Sequence, residues 1–178
     1  KSKSRSIQKL PGYEEGKWFI QDRSSQWVAT LLSPQKGEKI LDMCSAPGSK
    51  TTHLAELIND EGEIWAVDRS QKRLKKLHQN LERLNINCVK TINYDALKLL
   101  DIRPDFVNYF DKVLLDAPCS GIGTFSRNPD ARWSLTDKKI SELISLQEKL
   151  LNISKKYLKE NGTLVYSTCT ICPRENNL

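Results

Sequence analysis

The residues best suited to chemistry are an acid and two thiols, each at the end of a short apolar run. Asp116-Ala117-Pro118-Cys119 follows Lys112-Val113-Leu114-Leu115 and precedes the glycine-bearing Ser120-Gly121-Ile122-Gly123. Cys169 closes a second run, Thr163-Leu164-Val165-Tyr166-Ser167-Thr168, and the turn Ser45-Ala46-Pro47-Gly48 follows a third, Lys39-Ile40-Leu41-Asp42-Met43. A carboxylate can take or lend a proton, and a thiolate can attack an electron-poor carbon. Short apolar runs of this kind read as buried parallel strands, whose C-terminal tips line one edge of an open α/β sheet.

The elements that must position these groups alternate along the chain. After the run at 39–43 comes Cys44-Ser45-Ala46-Pro47-Gly48-Ser49-Lys50, and then Leu54, Leu57 and Ile58 mark one face of a helix. A strand, a tight turn and a helix N-terminus form a ligand cradle, because the first backbone N–H groups of a helix have no partner inside it. Two familiar loops are excluded. A P-loop needs glycine directly before Lys-Ser/Thr, but Ser49 intervenes here, and Gly48 is the turn's single glycine, so the G-x-G-x-x-G dinucleotide pattern also fails.

Glu63-Ile64-Trp65-Ala66-Val67-Asp68 is the next strand, with its acid 20 residues past Gly48, where a nucleotide-binding half sets a carboxylate against ribose hydroxyls. A helix cap for the segment beginning Arg69-Ser70 is a compatible role for Asp68. Leu74, Leu77, Leu81 and Leu84 then recur at helical spacing, with Lys72, Arg73, Lys75 and Lys76 as a solvated face. Cys88 to Ile92 is a third strand. The Asp95 that follows suits an adenine amino group or a cap equally, and Cys88 reads as core packing.

Upstream, Asp22 or Ser24 caps a helix through Trp27, Val28, Leu31 and Leu32, ending before Pro34. Downstream, residues 124–134 form a polar loop with Arg127, Arg132 and Trp133, a composition suited to a flexible polyanion with exposed bases. Thr136 or Asp137 caps a long helix with Ile140, Leu143, Ile144, Leu150 and Leu151 as its core stripe, and Asn161-Gly162 turns the chain into the last strand.

The bulk properties agree with one α/β domain. The chain has 178 residues, a net charge of +6 and five cysteines. The charge favours a nucleic-acid partner. An odd cysteine count speaks against a secreted disulfide framework and for a reducing compartment. No apolar stretch approaches the roughly 20 residues needed to cross a bilayer. The expectation is a cytoplasmic monomer with no metal, comprising a basic flexible lead-in at residues 1–10 and a catalytic domain over 11–178.

The runs LDMCSAPGSKTTHLAEL, DAPCSGIGTFSRNPDARW and STCTICPRENN, in that order, resemble the RNA cytosine-C5 methyltransferases of the Sun (RsmB) type, and QDRSSQ upstream is similar to theirs. The likeness runs from Gly12 to Asn176. It implies a Rossmann-like S-adenosylmethionine-dependent methyltransferase fold, with a mostly parallel sheet and helices on both faces. The activity it implies is methyl transfer to C5 of a cytosine in RNA, with 16S ribosomal RNA as target. Matched position by position, Cys44, Ser45, Ala46, Pro47, Gly48, Ser49, Lys50, Asp68, Asp95 and Asp116 fall on cofactor contacts. Cys169 falls on the nucleophile, and Cys119 on the cysteine that assists product release. Ser49 departs from a second glycine, and Thr170 stands where serine is common. The family's closing helix and antiparallel hairpin are missing from the sequence, which reads as truncated.

Two thiols and an acid make chemical sense for that reaction. Cytosine C5 is too weak a nucleophile until a thiolate adds at C6 and makes C5 enamine-like, and an acid near N3 and the exocyclic amine stabilises the charge that develops. The residues alone leave the two thiols interchangeable, and the resemblance decides for Cys169. Cys169-Thr170-Ile171-Cys172 also spells C-x-x-C, but Pro173 and the lack of a second such pair speak against redox or zinc chemistry, so Cys172 reads as a bystander. The rival functions are a catalytically inactive RNA-binding module on the same fold and a nicotinamide-dependent dehydrogenase. The missing glycine fingerprint speaks against the second.

Overall fold

The computed structural model describes residues 7–177. Of the expected lead-in, residues 1–6 lie outside that range, and Ile7–Lys9 form a 3-10 turn. Five strands, β1 (Lys39–Asp42), β2 (Glu63–Val67), β3 (Val89–Ile92), β4 (Phe110–Asp116) and β5 (Leu158–Ser167), make one sheet in the order β3-β2-β1-β4-β5. Every pairing is parallel. The chain order reverses between β1 and β4, and that reversal opens the crevice in which such sheets bind ligands.

Both faces of the sheet are buried, which is why its strands read as nearly continuous apolar runs. Successive side chains point to opposite faces. Ile40, Ile64 and Leu114 pack with Ala29, Leu32, Leu54 and Ile58 on one side, whereas Leu41, Val67, Val113 and Leu115 pack with Phe106, Leu150 and Tyr157 on the other. The first side carries α1 (Arg23–Leu32), α2 (Ser49–Leu57) and α3 (Gln71–Arg83), and the second carries α4 (Leu99–Ile102) and α5 (Asp137–Tyr157). Each fully buried Leu or Ile contributes roughly 1.5–3 kcal/mol of transfer free energy, so the sheet is the rigid part on which the tips are mounted.

The caps follow the sequence closely. Asp22 opens α1 by accepting from the Ser24 N–H at 3.0 Å, and Thr136 opens α5 by accepting from the Lys139 N–H at 3.2 Å. Other local expectations are corrected. Ser70, not Asp68, is the cap of α3. Arg73 is no bystander on a solvated face: it donates to the Ala46 carbonyl and lies 3.4 Å from Asp68. The buried stripe of α5 is Gln147, Leu150, Ser154 and Tyr157, with Ile140, Leu143 and Ile144 only half-buried. A hydrophobic pattern misses Gln147 and Ser154 because their polar ends bond to the Pro118 and Leu151 carbonyls, which is what lets them be buried. The loop at 124–134 is largely wound into 3-10 turns at Ile122–Thr124 and Pro129–Ser134, and Arg127 pairs with Asp22 at the start of α1. Asn161, at φ 65°, lies within β5, where the pairing jumps from Phe110↔Leu158 to Lys112↔Thr163.

Candidate active site

Strand register brings the acid and the two thiols together. Asp116 pairs with Ser167 at the ends of β4 and β5, and the Ala117 N–H donates to the Ser167 carbonyl at 2.9 Å. Two loops therefore leave the sheet side by side, and the Sγ atoms of Cys119 and Cys169 meet at 3.2 Å. Gly123 makes the approach possible: its N–H donates to the Cys169 carbonyl at 3.1 Å, and a Cβ there would sit 2.9 Å from that same oxygen.

The two sulfurs titrate as a unit. The Cys119 thiol, donating to Cys169, lowers Cys169 to about 7 against the opposing effect of burial, with repulsion from Asp116 and attraction from Lys50 as smaller effects. The same hydrogen bond, followed by burial, drives Cys119 upward. The Cys169 backbone N–H points at Cys119 Sγ from 3.3 Å and favours charge on Cys119 instead, so the pair shares one proton with the negative charge weighted toward Cys169.

Beside the sulfurs, Lys50 Nζ lies 2.6 Å from Asp116 Oδ2, and the Ser167 hydroxyl donates to Asp116 Oδ1 at 2.7 Å. Lys50 is only 13% exposed in this pair. Lys50, Asp116 and Cys169 share a hollow of about 240 Å3 with Ser24, Ser25 and Arg127. The N-terminus of α1 thus forms part of its wall.

A second hollow, of about 100 Å3, opens on the other side of the Asp116–Cys119 turn, which is the partition: Asp116 lines the first hollow and Pro118 the second. Cys44, Asp68 and Asp95 are on its wall with Met43, Leu146 and Leu150. Asp68 accepts from the Ala46 N–H at 3.2 Å and the Ser70 N–H at 2.8 Å, and Asp95 accepts from the Leu97 N–H at 2.9 Å. Both carboxylates keep lone pairs free for a ligand, since each oxygen can accept more than once. Cys44 offers wall rather than reactivity: burial pushes its thiol up to about 12. Ser45 is tied to the Val67 carbonyl by its N–H at 3.0 Å and its hydroxyl at 3.2 Å, which fixes the turn to β2. Gly48, at φ 107°, has Leu77 where a Cβ would go, 2.3 Å away, so the turn lies flat on α3. Ser49 faces a third, open hollow of about 620 Å3 between residues 16–26 and α2, and is alone there among the predicted site residues.

Sequence reasoning missed Asp42. It is 0% exposed at the end of β1, where Oδ2 accepts from the Thr51 hydroxyl at 2.7 Å and Oδ1 has no partner. Burial raises it to about 7 against the Thr51 hydrogen bond. The folded chain therefore binds more protons than the unfolded one between about pH 4 and 7. The stability contributed by this group is complete at the acid end and lost as pH rises through 7, by an amount on the order of several kcal/mol. Asp42→Asn is expected to remove that slope: urea midpoints should show the variant gaining on the parent chain at pH 8 far more than at pH 5. A difference independent of pH would refute the assignment. The only sequence signal was a carboxylate within an apolar run. Glu175 and Gln147 were missed too: Gln147 falls at the helical spacing of the apolar stripe but was passed over as polar, and Glu175 has no such spacing.

A parallel sheet reversing at β1 and β4, with acids on successive tips and a glycine turn after the first strand, is the Rossmann-like arrangement found in S-adenosylmethionine-dependent methyltransferases. An O-methyltransferase of Thermotoga maritima has the same fold at a TM-score of 0.58 and 16% identity, over 83% of this chain and 44% of that one. The chain belongs to the 16S rRNA methyltransferase RsmB/F family, whose model matches residues 29–178. It is 49% identical to a probable ribosomal RNA small subunit methyltransferase B of Synechocystis sp., over 98% of this chain and 39% of that protein. To the corresponding protein of Shigella sonnei it is 43% identical, over 97% and 39%. The structure of NSun6 from Pyrococcus horikoshii with SFG superposes at a TM-score of 0.87 and 38% identity, over 97% and 43%. The chain thus spans about two-fifths of the length of the curated relatives it matches. The cofactor of the family is S-adenosylmethionine. The second hollow has the donor set such a group needs, with apolar faces from Met43, Pro118, Leu146 and Leu150 for a flat base and the carboxylates of Asp68 and Asp95 for hydroxyl and amine donors. Among the described residues, no group of three or more His, Cys, Asp or Glu is placed to hold a metal ion, and no helix is long and apolar enough to cross a membrane.

Proposed function

We propose that this chain carries the catalytic centre of an RNA methyltransferase that places a methyl group on C5 of a cytosine, with 16S ribosomal RNA as substrate, through a transient bond from Cys169 Sγ to C6. The observation that carries the reading is the pair of sulfurs 3.2 Å apart on the edge where Lys50 and Asp116 form their ion pair. S-adenosylmethionine, when bound against Asp68 and Asp95, supplies an electrophilic methyl group. The chain's residues do the rest. Cys169, the more ionised sulfur, adds to C6, so that the C5–C6 π pair forms a C4–C5 double bond, the C4–N3 π pair moves onto N3, and C5 becomes enamine-like. Asp116 accepts from the exocyclic amine while Lys50 offsets the negative charge arriving on the ring. Release requires loss of the C5 proton and breakage of the bond from C6 to sulfur. Cys119, in contact with the departing sulfur, assists that step. The wound loop at 122–135, with Arg132 and a Trp133 that is 82% exposed, offers a cation and a stacking face to the flanking strand.

The test is incubation with tritiated S-adenosylmethionine and unmethylated small-subunit ribosomal RNA, followed by digestion to nucleosides. Label in 5-methylcytidine is the expected result. Label in another nucleoside overturns the C5 reading, and RNA binding with no label favours an inactive binding module.

A further inference from the structure

Both thiol-bearing loops are gripped by one short element that touches neither sulfur. The four-residue α6 (Pro173–Asn176) follows the Cys169 loop, and its Glu175 is fully buried. Glu175 Oε1 accepts from the Ser120 N–H at 2.9 Å and from Gln147 Nε2 at 3.0 Å, and its Oε2 accepts from the Ser120 hydroxyl. Ser120 is the residue after Cys119. Gln147, on α5, also donates to the Pro118 carbonyl at 2.8 Å, so the residues on either side of Cys119 are both held. The next residue of α6 holds the other loop. Asn176 Oδ1 accepts from the Thr168 hydroxyl at 2.9 Å, and its Nδ2 donates to the Thr170 carbonyl at 3.1 Å, thereby bracketing Cys169. Ser120 and Thr170 close the ring, with their hydroxyl oxygens 2.8 Å apart.

We propose that Glu175 and Asn176 are positioning residues that form a clamp setting the separation of the Cys119 and Cys169 sulfurs. The proposal rests on the methyltransferase reading for its purpose, but not for its geometry. A buried carboxylate on a surface-level turn is costly unless it is fully hydrogen-bonded. Burial alone would raise Glu175, yet the hydrogen bonds from Ser120 and Gln147 outweigh it and hold the group below the usual glutamate range. A charge held so firmly fixes the backbone at Ser120 much more stiffly than a neutral acceptor would. Two thiols at the ends of flexible loops would meet only intermittently. Joined through adjacent residues of a single turn, they are held in contact.

The experiment measures sulfur proximity directly, in the chain as it stands. In glutathione buffers the two thiols exchange with glutathione disulfide to give one Cys119–Cys169 disulfide and two reduced glutathiones, and the equilibrium reports the effective concentration of one thiol at the other. Glu175→Gln keeps the shape and one acceptor but loses the charge and the second acceptor. It is expected to lower that effective concentration by at least about tenfold and to move the alkylation profile of Cys169 to higher pH. Asn176→Ala, at an exposed position where folding is safe, should lower it severalfold. Tyr166→Phe, which removes only the 3.1 Å hydrogen bond from the Tyr166 hydroxyl to the Glu175 carbonyl, controls for general loosening of α6. The clamp predicts that it stays near the parent value even where it melts earlier. If Glu175→Gln and Asn176→Ala both keep the parent exchange equilibrium, or Tyr166→Phe matches their loss, the proposal is overturned. These readouts need no RNA, so failure of the methylation assay leaves them decisive. If methylation is observed, Glu175→Gln should lower kcat while leaving S-adenosylmethionine affinity unchanged, because Glu175 lies outside the second hollow.

Discussion

Cys169→Ser is expected to abolish methyl transfer and, with it, any covalent RNA–protein adduct, whereas Cys119→Ser should let that adduct accumulate. The two sulfurs are neighbours, but their surroundings differ. Cys169 is the more exposed, lines the hollow that holds Lys50 and Asp116, and is lowered to about 7 by the Cys119 thiol. A serine hydroxyl is almost never ionised near neutral pH, so replacing the attacking sulfur should cost on the order of 10³-fold or more in rate. Replacing Cys119 leaves the attacking group in place and removes the partner of the release step, so turnover stops with RNA bound. Cys119→Ser keeps a hydroxyl that can still donate to Cys169, whereas Cys119→Ala removes the hydrogen bond that lowers Cys169. The adduct formed by Cys119→Ala should therefore appear with a pH dependence displaced toward the ordinary thiol range, while the parent chain should already be half-active near pH 7. Denaturing gels of radiolabelled RNA with each variant, repeated across pH 6–9, read both quantities. An adduct that persists in Cys169→Ser and vanishes in Cys119→Ser would exchange the two roles.

How much of this was legible beforehand depended on whether a property is local. The runs ending in Asp42, Asp68, Asp116 and Cys169 declared a parallel sheet, because both faces of each strand are apolar, and Asp22 and Thr136 announced their helices because capping is a contact two or three residues long. The convergence of Cys119 and Cys169, 50 residues apart, was not local. It follows from the pairing of Asp116 with Ser167, and register is a property of the assembled sheet. What stayed hidden were polar groups whose partners come from elsewhere. Gln147 sits at the helical spacing of the apolar stripe of α5 but is hidden by its polarity, Arg73 belongs to a row of lysines that do face water, and Glu175 looks like any charged residue near a turn. Each is placed by a carbonyl or amide supplied by a distant segment, namely Pro118, Ala46 and Ser120.

Asp116→Asn is expected to lower kcat by roughly 10² to 10³-fold, the range that a single positioned electrostatic contact commands, while S-adenosylmethionine affinity stays near that of the parent chain. The resemblance assigns Asp116 to cofactor contact as well as to catalysis, and the expected result follows from the catalytic role alone. Its carboxylate faces the hollow shared with Lys50 and Cys169, on the opposite side of the Pro118 partition from Asp68 and Asp95. The ion pair with Lys50 complicates a single substitution, because a lysine side chain only 13% exposed is left without its counter-charge. Removing one partner of such a pair costs more than removing both. Lys50→Met should therefore impair kcat as Asp116→Asn does, and the double variant should be more stable than Asp116→Asn alone without regaining activity. Thermal melts, calorimetric titration with S-adenosylmethionine and single-turnover rates on the same three proteins supply the cycle. If the pair only braces the fold, the double variant recovers rate together with stability. If it acts on the pyrimidine ring, stability returns and rate does not, since a thioether and an amide in place of the Lys50 ammonium and the Asp116 carboxylate supply neither of the charges that the developing anion and its exocyclic amine require.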